Sequence, residues 1–277
     1  MTVYMFPGQG SQIKGMGAVL FNQFPELVKQ ANDLLGYSID ELCVNDPKQQ
    51  LGNTEYTQPA LYVVETLSFL AKRSDGMLPK YCIGHSLGEY AALFAAGGFD
   101  FITGLKLVKK RGELMAKSLG GGMLAVVNLR IDRIKYLLQA YGLSSIDFAN
   151  FNSDTQVVLS GPAADINKAN EILSKEAMMC VPLYVSGAFH SRYMQSAADE
   201  FAQFIAPFEL LPLHTQVISN ATAQPYTDNV IKENLVKQIT SPIRWTEILS
   251  YVKNHGETEC VEIGPGTVLT RLWSAFR

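Results

Sequence analysis

A chain of 277 residues, 47% hydrophobic and 18% charged, is long enough to bury one large core together with a smaller inserted unit. Its net charge of −3 excludes the strongly basic surface that nucleic acid or an anionic membrane would call for. The four cysteines (Cys43, Cys82, Cys180, Cys260) make no Cys-x-x-Cys pair and the four histidines share no ligand spacing, so reduced thiols and no metal site are expected.

The N-terminus has no basic segment ahead of its apolar run, which stops at Pro7, and no stretch reaches the about 20 apolar residues of a membrane helix. A soluble, cytoplasmic protein is expected. Residues 3–6 read as a strand entering the glycine-rich loop Pro7-Gly8-Gln9-Gly10-Ser11-Gln12. That loop lacks the Gly-Lys-Ser/Thr ending of a phosphate loop and the dinucleotide spacing, and it can instead carry a polar side chain and bare backbone to a strand end. Gln9 is the candidate. Helical patterns over 13–52 break at Gly36 and at Asn45-Asp46-Pro47, and Thr57-Gln58-Pro59 signals the start of a buried helix reaching about residue 72.

Gly84-x-Ser86-x-Gly88 follows a predicted strand at 81–83 and opens a predicted helix over 87–96. This is the pattern of a nucleophile elbow, in which two residues without Cβ let the backbone crowd around an exposed serine. A further amphipathic helix spans 101–118 and carries Lys109-Lys110-Arg111. After Gly120-Gly121-Gly122 the texture changes to strand 123–128, helix 132–141, strands 145–150 and 155–160, helix 163–176 and strand 178–184. That order is the split pattern of a ferredoxin-like unit. The chain returns through Gly187-Ala188-Phe189-His190-Ser191 to helix 193–204, strand 216–219, segment 234–239, helix 246–254 and strand 259–263. The fold class expected is α/β: a core of α/β-hydrolase type with a mostly parallel sheet (1–122 and 190–277) and an inserted ferredoxin-like subdomain (123–189).

Ser86 needs a base within hydrogen-bond reach. His85 adjoins it on the elbow and is a pocket-wall donor rather than a base; His214 and His255 read as surface residues. His190, in a small-residue loop where the insertion rejoins the core, is preferred. Asp132, Asp147 and Asp165 all lie in the insertion and none stands out as a third member. A dyad whose histidine is oriented by a backbone or amide oxygen fits better. The Leu87 amide, with a second donor from the Gln9 loop, would hold an oxyanion. Arg111 on the next helix would suit a substrate carboxylate, with Arg192 and Arg244 as rivals that spacing does not exclude.

Six segments in this order, Phe6-Pro7-Gly8-Gln9-Gly10-Ser11-Gln12, Thr57-Gln58-Pro59-Ala60, Gly84-His85-Ser86-Leu87-Gly88-Glu89, Lys110-Arg111-Gly112, Phe189-His190-Ser191 and Glu262-Ile263-Gly264-Pro265-Gly266, carry a resemblance. Over essentially its full length the chain resembles the malonyl-CoA:acyl carrier protein transacylases of fatty acid and polyketide synthesis. The resemblance implies a Ser86–His190 dyad, an oxyanion hole from Gln9 and the Leu87 amide, and a histidine held by a main-chain oxygen at Gln238. It also implies that Arg111 grips the carboxylate of the acyl group. Leu87 and Phe189 match the pattern of malonyl-selective members, whereas Gly187 departs from the histidine many polyketide members carry. The activity implied is ping-pong transfer of malonyl from malonyl-CoA to the phosphopantetheine thiol of an acyl carrier protein, with no bound cofactor. A monomeric, stand-alone enzyme supplying a polyketide synthase in trans is expected. An acyl hydrolase that clears carrier proteins is the alternative, and a non-catalytic scaffold the rival from another class.

Overall fold

Val3, Tyr4, Met5 and Phe6 are buried on both faces of the first strand, β1 (Thr2–Phe6), which is what a central strand of a parallel sheet requires. The computed structural model describes residues 2–73 and 79–276. After β1 come three short helices, α1 (Ala18–Gln23), α2 (Pro25–Leu35) and α3 (Ile39–Val44), with Gly36 closing α2 at φ 83°. The long buried helix α4 (Thr54–Arg73) leads to β2 (Tyr81–Gly84), α5 (Gly88–Ala95) and α6 (Phe101–Lys117). Asp100 caps α6 by accepting from the Thr103 N–H at 2.6 Å.

Then follow β3 (Gly121–Val127), α7 (Ile131–Ala140), β4 (Asp147–Ser153), β5 (Gln156–Pro162), α8 (Ala163–Leu173) and β6 (Met179–Pro182). These four strands form an antiparallel sheet in the order β4-β5-β3-β6, the ferredoxin-like arrangement, with Leu124, Val126, Val157 and Leu159 packed against Ile134, Leu138 and Ile166 of the two helices. The chain closes with α9 (Gln195–Ile205), β7 (Gln216–Val217), α10 (Ile231–Thr240), α11 (Trp245–Asn254), β8 (Glu259–Glu262) and α12 (Val268–Ala275). The main sheet, ordered β7-β2-β1-β8, is parallel throughout. The expected α/β class, a parallel sheet with a separate antiparallel one, is the one found. Among the described residues no helix is long and apolar enough to cross a membrane.

Three elements differ from the sequence reading. Helix α4 starts at Thr54, so Pro59 lies inside it and the Thr57 hydroxyl does not cap. That hydroxyl instead donates back to the carbonyls of Leu51 (2.6 Å) and Asn53 (3.0 Å). Strand β7 has only two residues, because the chain folds over at Ser219, where the Ala223 N–H reaches the Ser219 carbonyl at 2.8 Å. Helix α12 adds an element after 263; Glu262 caps it by accepting from the Leu269 and Thr270 amides at 3.0 and 2.9 Å.

Because the main sheet is parallel, the carboxyl ends of its strands share one edge, where ligands of such sheets bind. The loops after β1, β2, β7 and β8 all open there. The antiparallel sheet is tied to that edge through the segment ahead of α11: the Ile243 N–H donates to the Ala149 carbonyl (2.8 Å) and the Phe151 N–H to the Ile243 carbonyl (2.9 Å).

The elbow's glycines are set by contact distance. A Cβ on Gly84 would lie 2.1 Å from the Gly88 carbonyl, and one on Gly88 would lie 2.0 Å from the Phe6 carbonyl oxygen. Both clashes are with backbone, which cannot rotate away. Gly88→Ala is therefore expected to destabilise the chain by about 1–3 kcal/mol, whereas Gly52→Ala, with open space around it, stays within about 0.5 kcal/mol of the parent. Urea denaturation of the two variants measures the difference; equal midpoints would refute the packing argument.

Candidate active site

Strand β2 delivers the chain to the sheet edge, and it must reverse into α5 within a few residues. Ser86 takes the strain, at φ 53°. Asn220, from the turn after β7, clasps the bend: its Oδ1 accepts from the Ser86 N–H and its Nδ2 donates to the Gly84 carbonyl, both at 2.7 Å. The serine Oγ is left facing the cleft between the two sheets.

His190 meets it there. Its Nε2 lies 2.8 Å from Ser86 Oγ, and its Nδ1 lies 2.8 Å from the Gln238 main-chain oxygen. A carbonyl only accepts, so Nδ1 carries the proton and Nε2 is free to take one from the serine. Burial, aided by the Arg111 charge, lowers the histidine's pKa from 6.5 to about 3. Asp132, Asp147 and Asp165 are engaged elsewhere, with Arg130, Arg192 and the Ser145 hydroxyl respectively.

Arg111, on α6, has no solvent exposure. One of its terminal nitrogens donates to Gln58 Oε1 at 2.8 Å; the other donates to Gln238 Oε1 at 2.8 Å and to Ser86 Oγ at 3.1 Å. Its guanidinium carbon stands 5.6 Å from the centre of the Tyr90 ring. The rivals are accounted for: Arg192 pairs with Asp147 and Arg244 with Glu247. His214 and His255 are exposed.

Gln238 on α10 links these groups. Beyond its carbonyl to His190 and its Oε1 to Arg111, its Nε2 donates to the Ser86 carbonyl at 2.8 Å and to Glu89 Oε2. Glu89, fully buried in the first turn of α5, also accepts from the Asn220 N–H and the Tyr226 hydroxyl, both at 2.8 Å. Burial raises its carboxyl to about 7, against these hydrogen bonds and the Arg111 charge.

The cleft over Ser86 is lined by Gln9, Gln58, Leu87, Arg111 and Phe189 among others. Among the described residues no acceptor meets the Gln9 or Leu87 main-chain N–H. The Gln9 side chain is turned aside, its Nε2 donating to Thr54 Oγ1 at 3.1 Å. His85 also lines the cleft, but its Nε2 pairs with Asn152 Oδ1 at 3.0 Å and its ring packs on Trp245, joining the two sheets. Phe189 is buried beside His190. Sequence reasoning assigned no role to Asn220, Glu89, Gln58 or Asn152. Gln58 and Glu89 stand inside segments already singled out, and Asn220 follows a predicted strand end, a position that carries function in parallel sheets.

A strained serine, a histidine fixed by a carbonyl, and two free amides come together at one cleft, the kinds of group that acyl transfer uses. The chain belongs to the acyl transferase domain family, which matches residues 3–275. It is 49% identical over 275 residues to the polyketide biosynthesis malonyl CoA-acyl carrier protein transacylase PksC of Bacillus subtilis (strain 168), covering 98% of this chain and 96% of that one. It is 50% identical over 275 residues to the polyketide biosynthesis protein PksE of the same organism, again over 98% of this chain, and spans 36% of PksE's length. The crystal structure of a malonyl CoA-acyl carrier protein transacylase from Burkholderia pseudomallei superposes with a TM-score of 0.97 at 46% identity, covering 100% of this chain and 98% of that one.

A histidine depressed to about 3, as His190 is, stays neutral well below the usual 6.5. Inactivation of Ser86 by phenylmethanesulfonyl fluoride is thus expected to show no loss of rate as pH falls from about 8 to about 5. A step near the ordinary histidine pKa would refute the buried, neutral His190.

Proposed function

We propose that this chain transfers malonyl from malonyl-CoA to the phosphopantetheine thiol of an acyl carrier protein, in trans, in the service of a polyketide synthase. The observation that carries the reading is the convergence of His190 Nε2 (2.8 Å) and a buried Arg111 nitrogen (3.1 Å) on one oxygen, Ser86 Oγ. A nucleophile and a carboxylate-binding cation on a single atom suit an acyl group that ends in a carboxylate. The names carried by PksC and by the Burkholderia pseudomallei protein support the same substrates.

In the first half-reaction Ser86 Oγ–H gives its proton to His190 Nε2 as Oγ bonds to the thioester carbonyl carbon. The carbonyl oxygen becomes an oxyanion held by the Gln9 and Leu87 amides. Its collapse breaks the C–S bond, and the CoA sulfur leaves with the proton from His190. In the second half the carrier's thiol passes its proton to His190 and attacks the serine ester, and Ser86 departs with that proton restored. Arg111 holds the malonyl carboxylate through both halves. The thiol arm reaches Ser86 along the continuation of the cleft between the Gly8–Ser11 loop and the antiparallel sheet, past Asn152, Gln156 and Val158. Residues 123–189 act as the subdomain that walls this path, and Phe189 with Leu87 disfavours an α-methyl branch by about 1–3 kcal/mol.

Intact-protein mass spectrometry tests the reading. Malonyl-CoA is expected to leave a malonyl adduct that a holo carrier protein removes and that Ser86→Ala abolishes. Arg111→Ala is expected to slow malonyl loading about a hundredfold while acetyl loading from acetyl-CoA changes less than about tenfold. Equal losses for the two donors would remove the carboxylate role from Arg111. An adduct that decays to free malonate before reaching the carrier would indicate a hydrolase.

A further inference from the structure

The antiparallel sheet turns its two faces to different surroundings. Leu124 and Val126 of β3 pack toward α7 and α8, so Met123, Ala125 and Val127, which alternate with them, lie on the opposite face. Strand register sets that face out in rows. Leu183, whose N–H donates to the Met123 carbonyl at 2.9 Å, stands beside Met123, and both line the cleft over Ser86. The next row is Val158, Ala125 and Val181, and the outermost is Gln156, Val127 and Met179. Val158, Ala125 and Gln156 wall the path that leads outward from the serine. Their row-mates on β6 extend the same wall sideways to the sheet edge, over about 13 Å from Leu183 to Met179.

That part of the wall is apolar and open to solvent: Leu183 is 36% exposed, Val181 38% and Met179 49%. The far side of the mouth is apolar too, since Val268 of α12 lines the path and is 49% exposed. Among the described residues no lysine or arginine lines the path. Strand β6 is the edge of its sheet, but its free side is a poor template for another strand. Because Leu183 bonds inward to β3, the alternate residue Pro182 faces outward, and a proline has no N–H to offer. What this edge presents is a side-chain face.

We propose that Met179 and Val181 form an apolar ledge on which an acyl carrier protein seats, by apolar side chains beside its phosphopantetheine attachment, while its arm occupies the path. This rests on the reading of the chain as a transacylase that serves such a carrier. Continuity decides the occupant. A thiol arm that reaches Ser86 past Val158 and Gln156 brings the protein at its base to the outer rows of this face. The contact belongs to the second half-reaction, and free pantetheine, which has the thiol arm but no protein, does not need it.

The experiment loads Ser86 from malonyl-CoA and follows by intact mass the loss of the malonyl group to one of two acceptors. These are free pantetheine and a holo acyl carrier protein that the unaltered chain serves. In a Met179→Ser, Val181→Ser double variant, transfer to subsaturating carrier is expected to slow at least about tenfold, while loading and transfer to pantetheine stay within about threefold. Tyr136→Ser, an exposed site on α7 across the sheet, should leave all three rates within about threefold. In the unaltered chain, raising sodium chloride from about 0.05 to about 0.5 M should keep carrier transfer within about threefold, because apolar contact is not screened. Carrier transfer that the double variant leaves unchanged overturns the proposal. So does pantetheine transfer that falls as far as carrier transfer, which would make the ledge part of the arm's own path. A tenfold loss in salt assigns the seating to charge and also overturns it. A dimer of the unaltered chain in sedimentation that the double variant splits gives the ledge to a second copy, with the same consequence. An unaltered chain that takes no malonyl, or yields it to neither acceptor, overturns instead the functional reading beneath.

Discussion

Arg111 carries a full positive charge with no solvent contact, and burying a cation costs several kcal/mol unless its hydrogens and its charge are met. Gln58, Gln238 and the Ser86 hydroxyl meet hydrogens on the two terminal nitrogens, while the Nε–H has no hydrogen-bond partner among the described residues; the Tyr90 ring faces the guanidinium, and Glu89 supplies the opposite charge. The carboxylate does not touch the guanidinium; the Gln238 amide stands between them, oxygen to one and nitrogen to the other. A direct, bidentate Arg–Glu pair would tie up the N–H groups with a carboxylate, a charged partner harder to displace than an amide oxygen. The relay keeps the charges balanced while leaving the arginine with neutral partners, which the carboxylate of the proposed malonyl substrate would displace. The burial that makes the arginine costly also makes it strong, since no water competes for what it binds.

The same requirement explains why so many elements end at one place. The parallel sheet brings four strand ends to a common edge, and three of the loops there contribute a piece of the site: Gln9 after β1, Ser86 after β2 and Asn220 after β7. Helices α4, α6 and α10 then insert Gln58, Arg111 and Gln238 from the side. No piece can move alone. The serine's strained φ is held by Asn220, which is held by Glu89, which is held by Gln238. Such chained hydrogen bonds share one low-dielectric interior, where each is strengthened and a missing one is expensive. Strain at the nucleophile persists because its surroundings over-determine it.

The parts of this arrangement that were legible in the sequence are the ones whose cause is local. Gly84 and Gly88 could be read because the crowding they permit involves each other and the adjacent strand. The split order of the inserted strands and helices could be read because each element carries its own periodicity. Arg111 could not be separated from Arg192 and Arg244 by spacing, because what separates them is pairing: Asp147 and Glu247 occupy the other two. Asn220 and Glu89 gave no signal as partners, since the bonds that matter join residues 134 and 131 positions apart. The start of α4 was misplaced for a related reason. Thr57 looks like a cap in isolation, but Asn53 already accepts from the Tyr56 and Thr57 amides, and the hydroxyl is drawn into the preceding turn. Contact partners distant in sequence decide these outcomes, and local propensity yields to them.

Gly187 shows how a departure from a family pattern can be a packing consequence. In sequence it stands where a histidine is common among related chains, which would by itself argue for a looser wall beside the base. In the fold, a Cβ at 187 would lie 2.7 Å from the Ser118 carbonyl oxygen and 3.2 Å from the Phe189 ring, and one at Gly121 would lie 2.2 Å from the Ala188 nitrogen. The 187–188 segment is thus pressed between the end of α6 and the start of β3, with no room for any side chain at 187. That close approach is what seats Phe189, buried, against the cleft beside His190. A larger residue at 187 would have to push either the α6 terminus or the phenyl ring away. The glycine therefore tightens the wall of the cleft over Ser86: it exchanges a bulky residue three positions before His190 for a closer seat of the ring immediately before it.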